Sequence, residues 1–295
     1  MGKKTENAQQ TAIKSSYLKD AAQRFLRHRM AMIGLCVLVT EILLMFILPV
    51  VMNLDPTKTT TGGFGAPPSA GYIFGTDDVG RDNLARLLSG GKTSLYVGIM
   101  STMLSLLIGV PLGLIAGYFR SFWEVIILRL ADIFMSFPAM ILILVLVAIV
   151  GPSIHSVTFV IGFMGWPTFA KLLYANTISI REKEYVEAAR AVGNRHLPII
   201  VKFILPNAFA PVLVAFTFRL ASAIIQESTL SFLGMGVQPP QASWGNILYA
   251  AQSLSTLAMR PWMWVPAGVA LLLTVLSINF FGDGLRDALD PKMKI

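Results

Sequence analysis

The run MAMIGLCVLVTEILLMFILPVVM, from Met30 to Met52, carries one charged side chain, Glu41, in 23 residues. A helix of that length spans about 34 Å at 1.5 Å per residue, enough to cross a hydrocarbon layer of about 30 Å. It has no polar face to turn toward water, so its natural solvent is lipid. The residues before it hold Lys3, Lys4, Lys14, Lys19, Arg24, Arg27 and Arg29, and no small-residue cleavage site follows. The run therefore reads as a retained first span rather than a signal peptide.

Five further stretches meet the same length criterion: Thr93 to Phe119, Val125 to Val150, Ser153 to Leu173, Ala208 to Leu233 and Trp264 to Phe281, the last near the lower limit. Lipid leaves only helices or closed barrels, and these stretches are too long for barrel strands. The expected fold is all-α, a polytopic bundle of six transmembrane helices. The chain divides into a cytoplasmic segment 1–29, a first span 30–52, an extracytoplasmic loop 53–92, a five-helix core 93–282 and a cytoplasmic tail 283–295.

Composition agrees, with 55% of the 295 residues hydrophobic and 14% charged, against about 25% charged in ordinary soluble domains. A formal charge of +8 could suit nucleic acid, but placement decides otherwise. Basic residues gather at the amino terminus, between spans four and five (Lys171, Arg181, Lys183, Arg190, Arg195, Lys202) and in the tail (Arg286, Lys292, Lys294). The opposite segments are balanced at 53–92, with four basic and four acidic residues, or nearly uncharged at Gly234 to Met263, where Arg260 is alone. That bias makes both termini cytoplasmic in a plasma (inner) membrane protein and removes nucleic acid as a partner. Cys36 is the single cysteine, so no disulfide or zinc framework is expected, and no cofactor or metal.

Short strings tempt over-reading. Gly91-Lys92-Thr93 matches the end of a phosphate-binding loop, but Arg86 stands where that loop needs its other glycine. Leu88-Ser89-Gly90-Gly91 matches an ATPase signature in a chain with no Walker motif. Gly109, Gly113 and Gly117 recur every four residues and offer a smooth helix-packing face, with Pro111 between them as a kink or gate hinge. Charges within apolar runs are functional candidates by default, here Glu41, Arg129, Asp132, Arg219 and Glu227. Arg129 and Asp132, three residues apart, form a candidate intramembrane pair. Arg219 and Glu227, eight apart, are read as facing the same way and answering partners on other helices. No nucleophile with a base, metal set or catalytic acid pair stands out, so the chain is not expected to be an enzyme.

The strongest local signal is REKEYVEAARAVGNRHLPIIVKFILPN, Arg181 to Asn207. Glu184 to Val192 favours helix, Gly193-Asn194 offers a left-handed stop, and Pro198 suits the first turn of a second helix ending near Pro206. Either a helix-turn-helix outside the membrane or an amphipathic helix under the headgroups fits.

Glu187-Ala188-Ala189, three residues, Gly193, nine residues, then Phe203-Ile204-Leu205-Pro206 resembles the EAA loop of ABC importer permeases, with Phe203 in place of the usual isoleucine. FGTDDVGRD (Phe74 to Asp82), DIFMSFP (Asp132 to Pro138) and STLSFLGMGVQPPQASWG (Ser228 to Gly245) are similar to the dipeptide, oligopeptide and nickel branch. The resemblance implies half of a pore that imports a solute by alternating access. The implied partners are a homologous second permease, two ABC ATPase subunits and an extracytoplasmic solute-binding protein, in a bacterial or archaeal membrane. It also implies that Glu187, Ala188, Ala189, Gly193, Leu205 and Pro206 couple the pore to ATP hydrolysis carried out in the ATPases. A secondary transporter driven by an ion gradient is the alternative.

Overall fold

The computed structural model describes residues 22–59 and 62–289. The basic residues before position 22 and the tail residues Lys292 and Lys294 lie outside that range. Twelve α-helices account for most of it, and no β-strand occurs among the described residues. Five are long: α1 (Arg29–Val51), α2 (Asn83–Phe119), α9 (Leu205–Phe232), α12 (Val265–Leu289) and the nearly continuous pair α5 (Ile154–Met164) and α6 (Trp166–Arg181). The pair α3 (Ser121–Ser136) and α4 (Ala139–Val150) is bent by 89° at its break, so the described residues hold five unbroken candidate spans, and six if the bent pair counts as one. The remaining helices are short: α7 (Glu184–Ala191), α8 (His196–Ile199), α10 (Trp244–Leu248) and α11 (Leu254–Met259).

Several expected boundaries move; the fourth span, expected to end at Leu173, runs on to Arg181, and the fifth starts at Leu205 rather than Ala208. The second span starts at Asn83, ten residues before Thr93, with Asp82 capping it by accepting the Leu84 N–H at 2.9 Å. Lys92, the last residue of the expected outer loop, lies inside this helix, with its ammonium 4.8 Å from the centre of the Phe46 ring on α1. The third span is no straight Val125–Val150 rod: Pro138 holds Phe137 in an extended conformation (φ −91°, ψ 145°), which no helix can continue through. The last helix runs to Leu289, eight residues beyond Phe281, and takes in part of the expected tail.

The centre of the bundle is α2, flanked by α6, α9 and α5, with α1 carried on its edge by α12. Close packing comes from small residues, as expected where lipid tails offer no hydrophobic drive for helix association. The stripe Gly109, Gly113 and Gly117 lies against α6: a Cβ at Gly109 would stand 2.6 Å from that of Phe169, one at Gly117 2.6 Å from that of Thr177, and one at Gly113 would overlap the Ala170 carbonyl. Helix α2 passes Pro111 as one element, with Pro111 on its exposed side. On the α1–α12 contact, Thr274 donates to Glu41 at 2.6 Å, which answers that intramembrane carboxylate. Large apolar side chains such as Phe46, Leu107, Ile141 and Leu272 cover the outside of the bundle, as lipid requires.

Candidate coupling site and its far-end anchor

Helix α7 opens with Glu184 and Glu187 in its first turn, where acidic groups complement the helix dipole. Its end is a complete left-handed cap: Gly193 (φ +82°) donates to the Arg190 carbonyl at 2.9 Å and Asn194 to the Ala189 carbonyl at 3.2 Å. The Asn194 side-chain amide adds a second bond to Ala189 at 3.0 Å. The cap turns the chain into α8, with Pro198 within that helix. The second loop helix does not stop near Pro206. Residues Ile200–Ile204 form one wide π turn, closed by the Leu205 N–H on the Ile200 carbonyl, and the chain runs straight on into α9. Pro206 supplies no donor and crowds the preceding turn; the wide turn absorbs it, and the Asn207 amide takes the Phe203 carbonyl at 2.6 Å.

The two faces of the loop differ. Val186 and Ala189 are buried in a cluster with Leu114 and Tyr118 of α2, Leu173 and Ile180 of α6, and Ile204 and Ala208 at the start of α9. Tyr185, Ala188, Val192, Leu197 and Val201 are exposed, Val192 at 84% and Leu197 at 70%. Glu187 is exposed, and its carboxylate makes no hydrogen bond or ion pair among the described residues. Of the six residues expected to couple, Ala189 thus faces the bundle, Leu205 packs against the same cluster, and Glu187, Ala188, Gly193 and Pro206 face out. Partial burial raises the Tyr185 phenol above its ordinary range, so it stays neutral.

A feature absent from the motif joins loop to bundle. The Tyr118 hydroxyl at the end of α2 lies 3.0 Å from His196 Nδ1, and the Arg190 and Arg181 guanidinium groups sit 5.4 and 5.8 Å from the centre of its ring. Cations over a tyrosine face add attraction without needing an acid. Only the aromatic at the close of an apolar run hinted at this.

The candidate pair Arg129–Asp132 is not formed. Asp132 bonds instead to Lys171 of α6 at 2.7 Å, because the bend after Ser136 sets α3 alongside α6 and both partners are partly exposed. Nor do Arg219 and Glu227 share a face: eight residues at 100° each leave them about 80° apart. Arg219 donates to the Ile161 carbonyl of α5 at 2.8 Å, while Glu227 meets α2.

At the end of α9 opposite α7, Glu227 is wholly buried and accepts from Ser94 at 2.8 Å and Ser231 at 2.7 Å. Ser94 in turn accepts the Trp244 N–H at 3.2 Å, and the indole donates to the Leu87 carbonyl at 3.1 Å. Ser231 accepts the Val237 N–H at 3.0 Å, and Ser243 and Asn246 close a reciprocal cap at the start of α10. The motif from Ser228 to Gly245 is therefore a clamp that pins the 234–263 segment on α2 and α9. Gly90 and Gly91 lie under it, against Ser243 and Trp244, which accounts for the signature-like string without ATP. Nearby, Asp77 receives Arg81 at 2.7 Å and Arg86 at 3.4 Å, and Asp78 receives Arg260 at 3.3 Å.

Residues 109–295 match the family described as the binding-protein-dependent transport system inner membrane component. The chain belongs to that family. The permease also matches, over residues 16–68, the N-terminal transmembrane domain of oligopeptide transport permease C. It is 40% identical over 275 residues to a protein of Brucella suis biovar 1 assigned as a peptide permease, covering 93% of this chain and 91% of the relative. To the dipeptide transport system permease protein DppC of Alkalihalophilus pseudofirmus it is 37% identical over 276 residues, covering 94% and 90%. Among solved structures, an inward-facing MetNI methionine ABC transporter chain superposes with a TM-score of 0.58 at 21% identity, over 70% of this chain and 96% of that one. An amino acid ABC transporter chain gives 0.52 at 14% identity, over 68% and 92%. These two likenesses concern the fold. Family membership sets aside the ion-gradient alternative.

Proposed function

We propose that this permease is one half of the pore of an ATP-driven ABC importer for dipeptides, oligopeptides or a related solute such as nickel. Its partners are a homologous second permease, two ABC ATPase subunits and an extracytoplasmic solute-binding protein. The relatives named for peptide transport support the cargo class. The observation that carries the coupling role is the two-faced loop: one face is fused to α2, α6 and α9, and the other presents apolar side chains and an unpaired Glu187 beyond the ends of the spans. A surface of that kind fits a groove in a soluble ATPase. Closure of the ATPase dimer would then swing the bundle between inward-open and outward-open states as a rigid-body motion. ATP chemistry belongs to those partners, and this chain is a non-catalytic subunit.

The concentration of Lys171, Arg181, Lys183, Arg190, Arg195 and Lys202 toward the α7 end favours a cytoplasmic position for it. With six crossings both termini fall on the same side, and the 53–82 segment and the clamp face outward, where a binding protein would arrive. The bilayer is a bacterial or archaeal plasma membrane.

The test is Glu187→Lys at equal membrane expression. Loss of a charge-assisted contact at a buried interface costs about 2 kcal/mol or more, roughly thirtyfold in affinity. ATPase co-purification and solute uptake should fall together while pairing with the second permease persists. Wild-type co-purification and uptake would assign the loop to the headgroup layer instead.

A further inference from the structure

A cleft of about 620 Å³ lies between the α3–α4 elbow, the α5–α6 junction and α9. A second, about 490 Å³, continues it along α9 to Thr229 and to Asn279 of α12; the two share Phe218, Ser222 and Gln226. From Ala215 to Thr229 the groove runs about 21 Å at 1.5 Å per residue. Its α9 wall recurs at helical spacing and carries Arg219, Ser222, Gln226 and Thr229. A polar stripe from Arg219 to Thr229, about 15 Å long at 1.5 Å per residue, would be expensive facing hydrocarbon, whereas facing a solute path it is useful.

Arg219 stands in this wall without a counter-charge. It donates to the Ile161 carbonyl at 2.8 Å and, weakly, to Gln226 Oε1 at 3.3 Å, and its Nε has no partner. Asp132 is engaged by Lys171, and Glu227 is closed in among the serines of the clamp. The guanidinium reaches the cleft across Gly165, where a Cβ would stand 2.5 Å from its Nε and NH2. The α5–α6 junction is thus notched to admit a cation that the chain itself does not neutralise. A partly buried ion held without a counter-charge calls for something to answer it, and the remaining guanidinium N–H groups point to a planar anion.

We propose that this groove is a wall of the solute path and that Arg219 is the site in it that takes a carboxylate of the transported solute. For a peptide, the natural candidate is its carboxyl terminus; this identification rests on the peptide-import reading. The long bond to Gln226 is the one that yields, leaving the Ile161 carbonyl to hold the guanidinium in place. One weak, exchangeable anion contact suits a path that must release what it binds.

The experiment uses the complete transporter in liposomes, with Cys36→Ser and Ser222→Cys in this chain. The Ser222→Cys thiol should react with an anionic sulfonatoethyl methanethiosulfonate, relative to a cationic trimethylammonioethyl one, about tenfold more than a free thiol in solution does, because a fixed cation concentrates anions locally. Trialanine should protect it and trialanine amide should not. Arg219→Gln should abolish the anion preference and the distinction between acid and amide, and Arg219→Lys should retain both in part. A thiol unreactive in every nucleotide state, the free-thiol reagent ratio, or equal protection by acid and amide overturns the proposal. Because the first readout keeps Arg219, failure of Arg219→Gln to assemble leaves it decisive. If the wild-type complex imports no peptide, the cargo reading fails, while the reagent ratio still decides whether Arg219 is an anion site.

Discussion

At one end of α9, Glu227 is sealed among Ser94, Ser231 and the α10 clamp, every oxygen within reach of a hydroxyl. At the other end, Leu205 and Pro206 follow a wide π turn, and the loop beyond exposes Val192 and Leu197. The first end is bonded from three directions through side chains buried in the bundle. The second is held by a backbone cap, an apolar cluster and a tyrosine shared by two arginines. An anchor at one end and a wide turn at the other are what the proposed coupling role needs: a displacement of α7 would reach the base of α9 while its far end stays in register. The polar groove lies along the length between.

The contrast breaks most sharply at the anchor. Glu227→Ala leaves the Ser94 and Ser231 hydroxyls buried without their acceptor and opens a cavity, so stability should fall by about 3 kcal/mol. Glu227→Gln keeps the shape and an acceptor oxygen and should cost about 1 kcal/mol. Thermal unfolding of the purified complex reads both. If the alanine variant melts with the wild type, the clamp is not an anchor and the asymmetry disappears.

That network was partly legible in the sequence. Glu227 drew notice as a charge inside an apolar run, and the Ser228–Gly245 string was recognisable, but nothing in spacing says that Ser94, 133 residues away, completes the site. The apolar runs gave the helices because lipid enforces a length and a composition. They misjudged Asn83–Lys92, where Lys92 finds an aromatic ring, and missed the elbow at Phe137, where one proline outweighs continuous hydrophobicity. The loop helix α7 and its glycine stop were readable because capping is local chemistry. The pairing of Asp132 with Lys171 was not, since Arg129, three residues away on the same helix, loses to a helix that only the fold brings near.

Between the two ends, the glycine stripe ties α2 to α6 and so carries the loop cluster with it. Gly113→Leu forces a side chain into the Ala170 carbonyl, a backbone atom that cannot rotate away. Overpacking of this kind costs about 2 kcal/mol. The yield of assembled complex should drop, and Gly113→Ala should show a smaller loss in the same direction. Unchanged assembly with leucine would mean that α2 and α6 can separate, and that the loop moves without dragging α2.

The smallest effect separates backbone strain from contact at the soft end. Gly193 holds φ at +82°, yet a Cβ there would meet nothing within 4 Å. Gly193→Ala therefore adds no clash, and its whole cost is the left-handed conformation, about 1 kcal/mol. Asparagine, which tolerates that region better, should cost less than alanine. Hydrogen exchange of the amides of Gly193 and Asn194, which donate to Arg190 and Ala189, reads the cap directly. Their protection should fall about fivefold in the alanine variant, the equivalent of 1 kcal/mol, and by less in asparagine, with exchange in the Glu227 clamp unchanged. If protection falls at the clamp as well, the two ends of α9 are one cooperative unit. If it falls at neither, Gly193 marks a turn that other contacts already hold, and the stiffness of the loop must come from the Tyr118 cluster.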